Sequence, residues 1–325
     1  MPVLIAPTQL VLPGALGQLA ATAENRYHVY PLVSGQRVKK TRWIEAPDAE
    51  LKAAQRWLLD NWLYRLTPTT YAHGFVPGRS ILSNASHHVG RRFVLTADIR
   101  DFFPSITAQR VDDCLEQLEF DPAHRRCLVQ LVTRRGRLPQ GAPTSPHLAN
   151  LVARPLDLRL AGLARQHGWT YTRYADDLTF SSNPSQRFMP PEELLWVIER
   201  IVSDEHFRLA DDKSHIMPHH QRQTVTGLVV NQRLALPKPR RRILRAMLHR
   251  LETAGPGELD LRDLQVAGGH LALARLIDPD GYSDACRGLA RLFREALDPD
   301  ATVSGSEHHP ELDCPASQET RFTNT

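Results

Sequence analysis

The apolar positions of this chain switch repeatedly between a helical and a strand period. From Pro47 and Asp48 onward, Leu51, Ala54, Leu58 and Trp62 recur at helical spacing to about Leu66, with Asp48 placed as the N-cap. Thr107 predicts the next cap, with Ile106 and Val111 as a hydrophobic staple, and that helix runs to about Phe120. Ser145 as cap and Pro146 at the first helical position open a helix to about Gln166, kinked at Pro155. Pro191 to Phe207 sets Leu194, Leu195, Ile198, Ile201 and Val202 on one side. Weaker helical patterns fill 258–297, and the polar stretch beyond Pro299 predicts disorder. Residues 1–25, mildly apolar and broken by Pro and Gly, predict a short packed leader.

Between these helices lie the strands. Tyr27–Tyr30 and Arg42–Ile44 flank a Ser34-Gly35 turn. Phe93–Ala97 is a continuous apolar run of the kind that makes a strand buried on both faces, and it ends on Asp98. Tyr171–Tyr174 and Leu178–Phe180 are rich in β-formers and enclose Asp176 and Asp177. They predict a β-hairpin with a carboxylate pair at its tip, which taken alone reads equally as a solvated acidic turn. Val225–Asn231 predicts a strand–Gly–strand element.

Composition narrows the class. Of 325 residues, 42% are hydrophobic and 23% charged, enough for a sizeable core in two or three subdomains. Four cysteines (Cys114, Cys127, Cys286, Cys314) lack metal-ligand spacing and read as reduced thiols of a cytoplasmic protein. No apolar run approaches the roughly 20 residues of a membrane span, and no basic segment followed by a long apolar core marks a signal peptide, so no membrane partner is expected. The net charge is +4, and the basic residues cluster. Residues 26–46 carry Arg26, Arg37, Lys39, Lys40 and Arg42 against Glu45 alone, either an edge hairpin protected by charge or one that faces phosphates. Arg125, Arg126, Arg134, Arg135 and Arg137 form a second cluster. Lys238, Arg240, Arg241, Arg242, Arg245 and Arg250 form a third, with no acid among them; such a helix can track a phosphate backbone, whereas a merely solubilising face usually mixes both signs.

The candidate chemistry follows from the acids. Asp98 at the end of a buried strand demands an ion-pair partner or a cation. On a strand adjacent to the 171–182 hairpin it would join Asp176 and Asp177, and three uncompensated carboxylates repel, which implies a divalent cation. All-oxygen ligation suits Mg²⁺. Two such ions about 4 Å apart support in-line phosphoryl displacement. With basic clusters alongside, this describes nucleotidyl transfer on a polynucleotide. The paired histidines of Asn84-Ala-Ser-His-His88 have no acid or Cys nearby and are not read as a metal site.

Here the sequence resembles a known family. Val94–Ile106, Leu138–Pro146, Tyr174-Ala-Asp-Asp177 and Val225–Asn231 stand in the order expected of a reverse transcriptase, across residues 27–297. Asn84-Ala-x-x-His88 and Val225-Thr-Gly227 resemble signatures of the bacterial retron enzymes. The resemblance implies an α+β right-hand polymerase: fingers, a palm whose antiparallel sheet carries helices on one face, and a helical thumb. The implied parts are a leader at 1–25, fingers at 26–90, palm at 91–123, a fingers/palm junction at 124–145, palm again at 146–236, a thumb at 237–297 and a tail at 298–325. Asp98, Asp176 and Asp177 would hold two Mg²⁺ ions, with Mn²⁺ as a substitute. Phe103 matches the aromatic gate against a ribose 2′-hydroxyl. Arg42, Gln140, Gly141 and Lys213 match residues around the incoming nucleotide. Where relatives carry Pro-Lys-Lys-Ser-Gly, this chain reads Pro31-Leu-Val-Ser-Gly35, leaving Lys39 and Lys40 to supply the basic charge.

The same resemblance implies partners. They are a cognate structured non-coding RNA (msr-msd), its cDNA product, deoxynucleoside triphosphates and a separate effector protein. Asn84, His88, Val225, Thr226 and Gly227 would recognise RNA or grip the primer, and Lys238, Arg240, Arg241, Arg242 and Arg245 would follow the template–primer groove. The implied activity is synthesis of branched RNA-linked cDNA (msDNA) in anti-phage defence. The alternatives are a group-II-intron-like or other defence-associated reverse transcriptase without msDNA, and a non-catalytic RNA-binding scaffold.

Overall fold

The computed structural model describes residues 14–34, 40–185, 187–210, 212–253 and 261–297. The chain divides into two compact units between Pro237 and Lys238.

The first unit opens with α1 (Gly14–Thr22), whose Leu16, Leu19 and Ala20 are buried. The hairpin β1 (Tyr27–Ser34) and β2 (Lys40–Pro47) follows, paired from Tyr27↔Pro47 to Ser34↔Lys40. Lys39 and the Gly35 of the expected turn lie outside the described residues. Asp48 caps α2 (Ala49–Asn61), as its position before the apolar stripe predicted, by accepting from the Leu51 amide at 2.8 Å. Three further helices are α3 (Ile81–Ser86), α4 (Ala108–Gln117) and α5 (Pro122–Val132). Thr107 caps α4 as expected, and Ile106 and Val111 are fully buried.

The helix expected over 146–166 is two helices, α6 (Ser145–Val152) and α7 (Arg154–Gln166). Pro155 has no amide hydrogen to continue the ladder from the preceding turn, so the chain breaks at Ala153. Nor is Ser145 the cap: its hydroxyl donates to the Pro139 carbonyl at 2.8 Å, and Thr144 takes the N-cap position.

The sheet that organises this unit has strands β3 (Phe93–Asp98), β4 (Trp169–Tyr174), β5 (Asp177–Ser182) and β6 (His215–Pro218) in the order β4-β5-β3-β6, antiparallel throughout. Its period of two separates the faces. Leu95, Ala97, Leu178, Phe180, Trp169 and Tyr171 enter one core with α7 and with Leu194, Ile198 and Val202 of α8 (Pro191–Asp204). The opposite face carries Thr96, Asp98, Asp177, Thr179, Ser181, Thr172 and Tyr174. A small hairpin, β7 (Thr224–Val225) and β8 (Leu228–Val229), turns at Thr226 and Gly227, both with positive φ (46° and 79°). Two positive φ values suit the right-handed twist of a two-residue hairpin.

The second unit is α9 (Lys238–Thr253), α10 (Leu261–Ile277) and α11 (Ser283–Leu297), with Leu244, Leu264, Ala267, Leu271 and Ala274 buried. No helix among the described residues is long and apolar enough to cross a membrane. The tail expected to be disordered lies outside the described residues.

Candidate active site

The register places Asp98, the last residue of β3, opposite Asp177, the first of β5. Asp176 follows Ala175 in the two-residue turn that joins β4 to β5. The left-handed position falls on Ala175 (φ 57°), although aspartate tolerates it better than alanine. The turn is tied to the β3 end, since the Ile99 amide donates to the Asp176 carbonyl at 2.9 Å. Asp98 is 9% exposed, and Lys213 Nζ stands 2.6 Å from its Oδ1.

The electrostatics record the crowding. Desolvation, and then the charge of Asp98, holds Asp176 above the usual carboxylate range, while Lys213 and Arg42 pull it down. Desolvation and the charges of Asp176 and Asp98 push Asp177 up to about 6, although its side chain keeps a solvent-facing edge. Among the described residues no three His, Cys, Asp or Glu side chains converge on one cation position. The donor set nonetheless fits a hard cation: the oxygens are carboxylate, the charges of Asp98 and Asp176 raise the pKa of Asp177, and a cationic ammonium already stands against Asp98.

A buried network beneath the turn fixes its position. Arg173 and Asp157 have fully buried side chains and form a two-pronged ion pair, Nε and Nη2 each 2.7 Å from a carboxylate oxygen. Burial alone lowers the pKa of Arg173, but the charge and hydrogen bonds of Asp157 leave it raised. Its remaining Nη1 donates to the Ala175 carbonyl at 3.0 Å and to Asn150 Oδ1 at 2.9 Å. Asn150 in turn donates to the Gly74 carbonyl at 2.8 Å, and Tyr171 and Thr69 complete the shell of Asp157. Gly74 meets the turn directly. A Cβ there would lie 2.4 Å from the Ala175 backbone nitrogen, so only glycine fits. Sequence reading left Arg173, Asp157, Asn150 and Gly74 unassigned. The one available signal was a charge at position 173, on the same strand face as Trp169 and Tyr171.

The β1–β2 hairpin lies against the loop before α6. The Glu45 amide donates to the Gln140 carbonyl at 2.9 Å, and Glu45 makes a buried ion pair with Arg134. Gly141 (φ 141°) packs so closely that a Cβ would meet the Glu45 carbonyl at 2.8 Å. Gln140 and Gly141 thus share one wall with β2, whose exposed Arg42 is near enough to lower the pKa of Asp176. Phe103 is half-buried, its ring 5.9 Å from that of Phe75 and 5.7 Å from that of Phe102. A cavity of about 340 Å³ joins Asp177 to Thr226 and Gly227 past Tyr174, Thr96 and Thr179. Lys238, Arg240, Arg242 and Arg245 are exposed on α9, and Arg241 is half-buried.

Asn84, His88 and Val225 require a correction as RNA contacts, because Asn84 and His88 are 0% exposed and Val225 1%. His88 hydrogen-bonds the Ser181 hydroxyl and the Thr172 hydroxyl, each at 2.7 Å, and so seals the polar face of the sheet. Thr226 Oγ1 donates to the Ile81 carbonyl at 3.1 Å, which ties the small hairpin to α3. Asn84 and His88 are thus packed inside the fold, while Thr226 and Gly227 line the cavity. The signal was present in the sequence: Asn84 and His88 stand four residues apart, and Thr172 and Ser181 mark a sheet face in need of polar partners.

A palm-type sheet with facing acids at its strand ends, walled by a basic hairpin, defines the α+β polymerase class. Residues 34–230 match the family model described as reverse transcriptase (RNA-dependent DNA polymerase). The chain belongs to the reverse transcriptase family, among its retron-type members. It is 39% identical to the retron Mx65 reverse transcriptase of Myxococcus xanthus, over 78% of this chain and 62% of that protein. It is 40% identical to the retron Mx162 enzyme of the same organism, over 73% and 55%, and 35% identical to the retron Ec86 reverse transcriptase of Escherichia coli, over 74% and 75%. The chain therefore spans less than two thirds of the length of the two Myxococcus relatives.

Proposed function

We propose that the chain is an RNA-directed DNA polymerase of a retron, which extends a cognate non-coding RNA into branched RNA-linked cDNA within an anti-phage defence system. The observation that carries the catalytic part is the Asp98↔Asp177 register with Asp176 in the adjoining turn, held from below by Arg173. Asp98, Asp176 and Asp177 would hold Mg²⁺, which supplies charge neutralisation at the attacking and leaving oxygens. Around them, Arg42 and Lys213 bind the triphosphate as cations, and the Gln140-Gly141 backbone supports the nucleotide. The ring of Phe103, packed against Phe75 and Phe102, acts as the steric gate against a 2′-hydroxyl. Thr226 and Gly227, across the cavity from Asp177, position the primer. The primer hydroxyl oxygen bonds to the α-phosphorus as the bond to the bridging oxygen breaks, and pyrophosphate leaves. The α9 arginines follow the backbone of the template–primer duplex.

Two measurements test this. Deoxynucleotide incorporation on an RNA template in Mg²⁺ is expected from the full chain and is abolished in Asp176→Ala with Asp177→Ala. Normal synthesis by that double variant removes the catalytic assignment. Sequencing of the nucleic acid that co-purifies is expected to yield a 2′-linked RNA–cDNA species; unbranched cDNA alone assigns the chain to a reverse transcriptase without msDNA.

A further inference from the structure

The end of the sheet opposite the carboxylates carries a concentration of positive charge that the polymerase reading leaves unused. There β3 begins at Phe93, β5 ends at Ser182 and β6 ends at Pro218, with Phe93 in register with both Ser182 and Pro218. Five residue steps along β3 separate this pole from Asp98, roughly 17 Å at strand rise. Three segments meet at it: the turn before β3, the loop after β6 and the chain after β8. Backbone-directed hydrogen bonds lock them together. The His219 amide donates to the Arg92 carbonyl at 2.8 Å, and the Gly90 amide to the Val230 carbonyl at 2.9 Å. Asn231 Nδ2 donates to the carbonyls of His219 at 2.9 Å and Gln221 at 2.7 Å, and its Oδ1 accepts from the Gln223 amide at 2.9 Å.

These segments bring Arg91, Arg92, His219, His220, Arg222 and Arg233 to one pole, all exposed except half-buried Arg91. None of the four arginines forms an ion pair among the described residues. Nor does the local chain offer a counter-charge, because the sequence contains no acid between Asp60 and Asp98 and none between Asp212 and Glu252. A face that only keeps a protein soluble mixes both signs, whereas like charges gathered on rigid loops repel and destabilise the folded chain. A polyanion relieves that repulsion.

The surface also indicates the form of the polyanion. Single-strand binders offer aromatic rings on which bases stack, and none of the three segments exposes Phe, Tyr or Trp. They offer guanidinium groups, imidazoles and the exposed amides of Gln221 and Gln232, which suit phosphates and 2′-hydroxyls along a double-helical backbone. We propose that this pole is a docking surface for a double-helical segment of RNA, separate from the active site. The proposal rests on the polymerase reading only in choosing RNA over other polyanions.

The test compares the full chain with the triple variant Arg92→Gln, Arg222→Gln, Arg233→Gln, whose changes are all at exposed positions. The probe is a labelled RNA hairpin with a stem of about 20 base pairs, long enough for contacts across successive grooves. Its affinity is expected to fall about tenfold or more. The dependence of log K on log salt is expected to become shallower by up to about 2.7, since each of three lost phosphate contacts removes about 0.9 from the slope. Incorporation on a poly(rA)–oligo(dT) template–primer and the thermal midpoint stay unchanged. Unaltered hairpin affinity and salt slope overturn the proposal, and so does an equal loss for single-stranded RNA of the same length. A wild-type chain that binds the hairpin through these arginines yet fails to polymerise keeps the docking surface and removes the polymerase reading, so the two fail separately.

Discussion

At the scale of single residues, the site depends on side chains whose surroundings decide what they do. Phe103 is braced by two neighbouring rings, so its face is held and not free to swing. Phe103→Ala removes that face, and the ratio of ribonucleotide to deoxynucleotide incorporation is expected to rise at least tenfold in competition assays. Unchanged sugar selectivity takes Phe103 out of the gate. Asp157 presents the opposite case, a charge far from solvent that stabilises through its partner. Asp157→Ala leaves the fully buried Arg173 guanidinium without its counter-charge, together with unpaired Tyr171 and Thr69 hydroxyls. A buried ion pair broken from one side costs about 3–5 kcal/mol. A loss of unfolding free energy of that size is expected from urea titration; a loss within about 0.5 kcal/mol, the usual range for surface positions, contradicts the buried pairing.

Among elements, the β4–β5 hairpin was legible because β-branched and aromatic residues flank a short acidic turn, and Asp98 because an apolar run ends on a charge. The caps of α2 and α4 were legible for the same local reason, an oxygen-bearing side chain placed before an apolar stripe. What lay beyond local pattern was missed. Arg173 and Asp157 carry no role until the fold buries them together, and Asn150 and Gly74 acquire meaning only where α6 and the loop before α3 meet the turn. His88 misled in a different way, since its place in a signature suggested recognition while the Thr and Ser alternation of β4 and β5 required a buried polar partner. Gly74 gives this scale its prediction. In Gly74→Ala the new methyl meets the Ala175 backbone, which has no flexible side chain to move aside, so the turn carrying Asp176 must shift. Overpacking of this kind costs about 1–3 kcal/mol. The expected signature is a kcat reduced at least tenfold with nucleotide KM little changed and the fold retained; wild-type kcat shows that the contact does not set the turn.

For the molecule as a whole, three buried histidines couple stability to pH. Burial, helped by nearby positive charges, depresses His88 to about 3 and His73 to about 4, and burial lowers His147 as well. A folded-state pKa below the ordinary 6.5 means that the folded chain binds fewer protons than the unfolded chain between the two values. Their contribution is fully present above about pH 6.5 and is lost as the pH falls below it. Asp177 works in the opposite direction, because its raised pKa lets the folded chain gain a proton below about 6. That gain begins at lower pH and belongs to a group partly open to solvent, where screening weakens it. The histidines therefore govern the profile from pH 7 to 5, each at up to about 1.4 kcal/mol per pH unit. Unfolding free energies from urea titrations at several pH values are expected to fall across that interval. In His88→Gln, which keeps hydrogen-bonding groups opposite Thr172 and Ser181 but cannot titrate, the slope becomes shallower by about one proton. An identical slope in that variant shows that His88 is protonated equally in both states and is not sealed against the sheet.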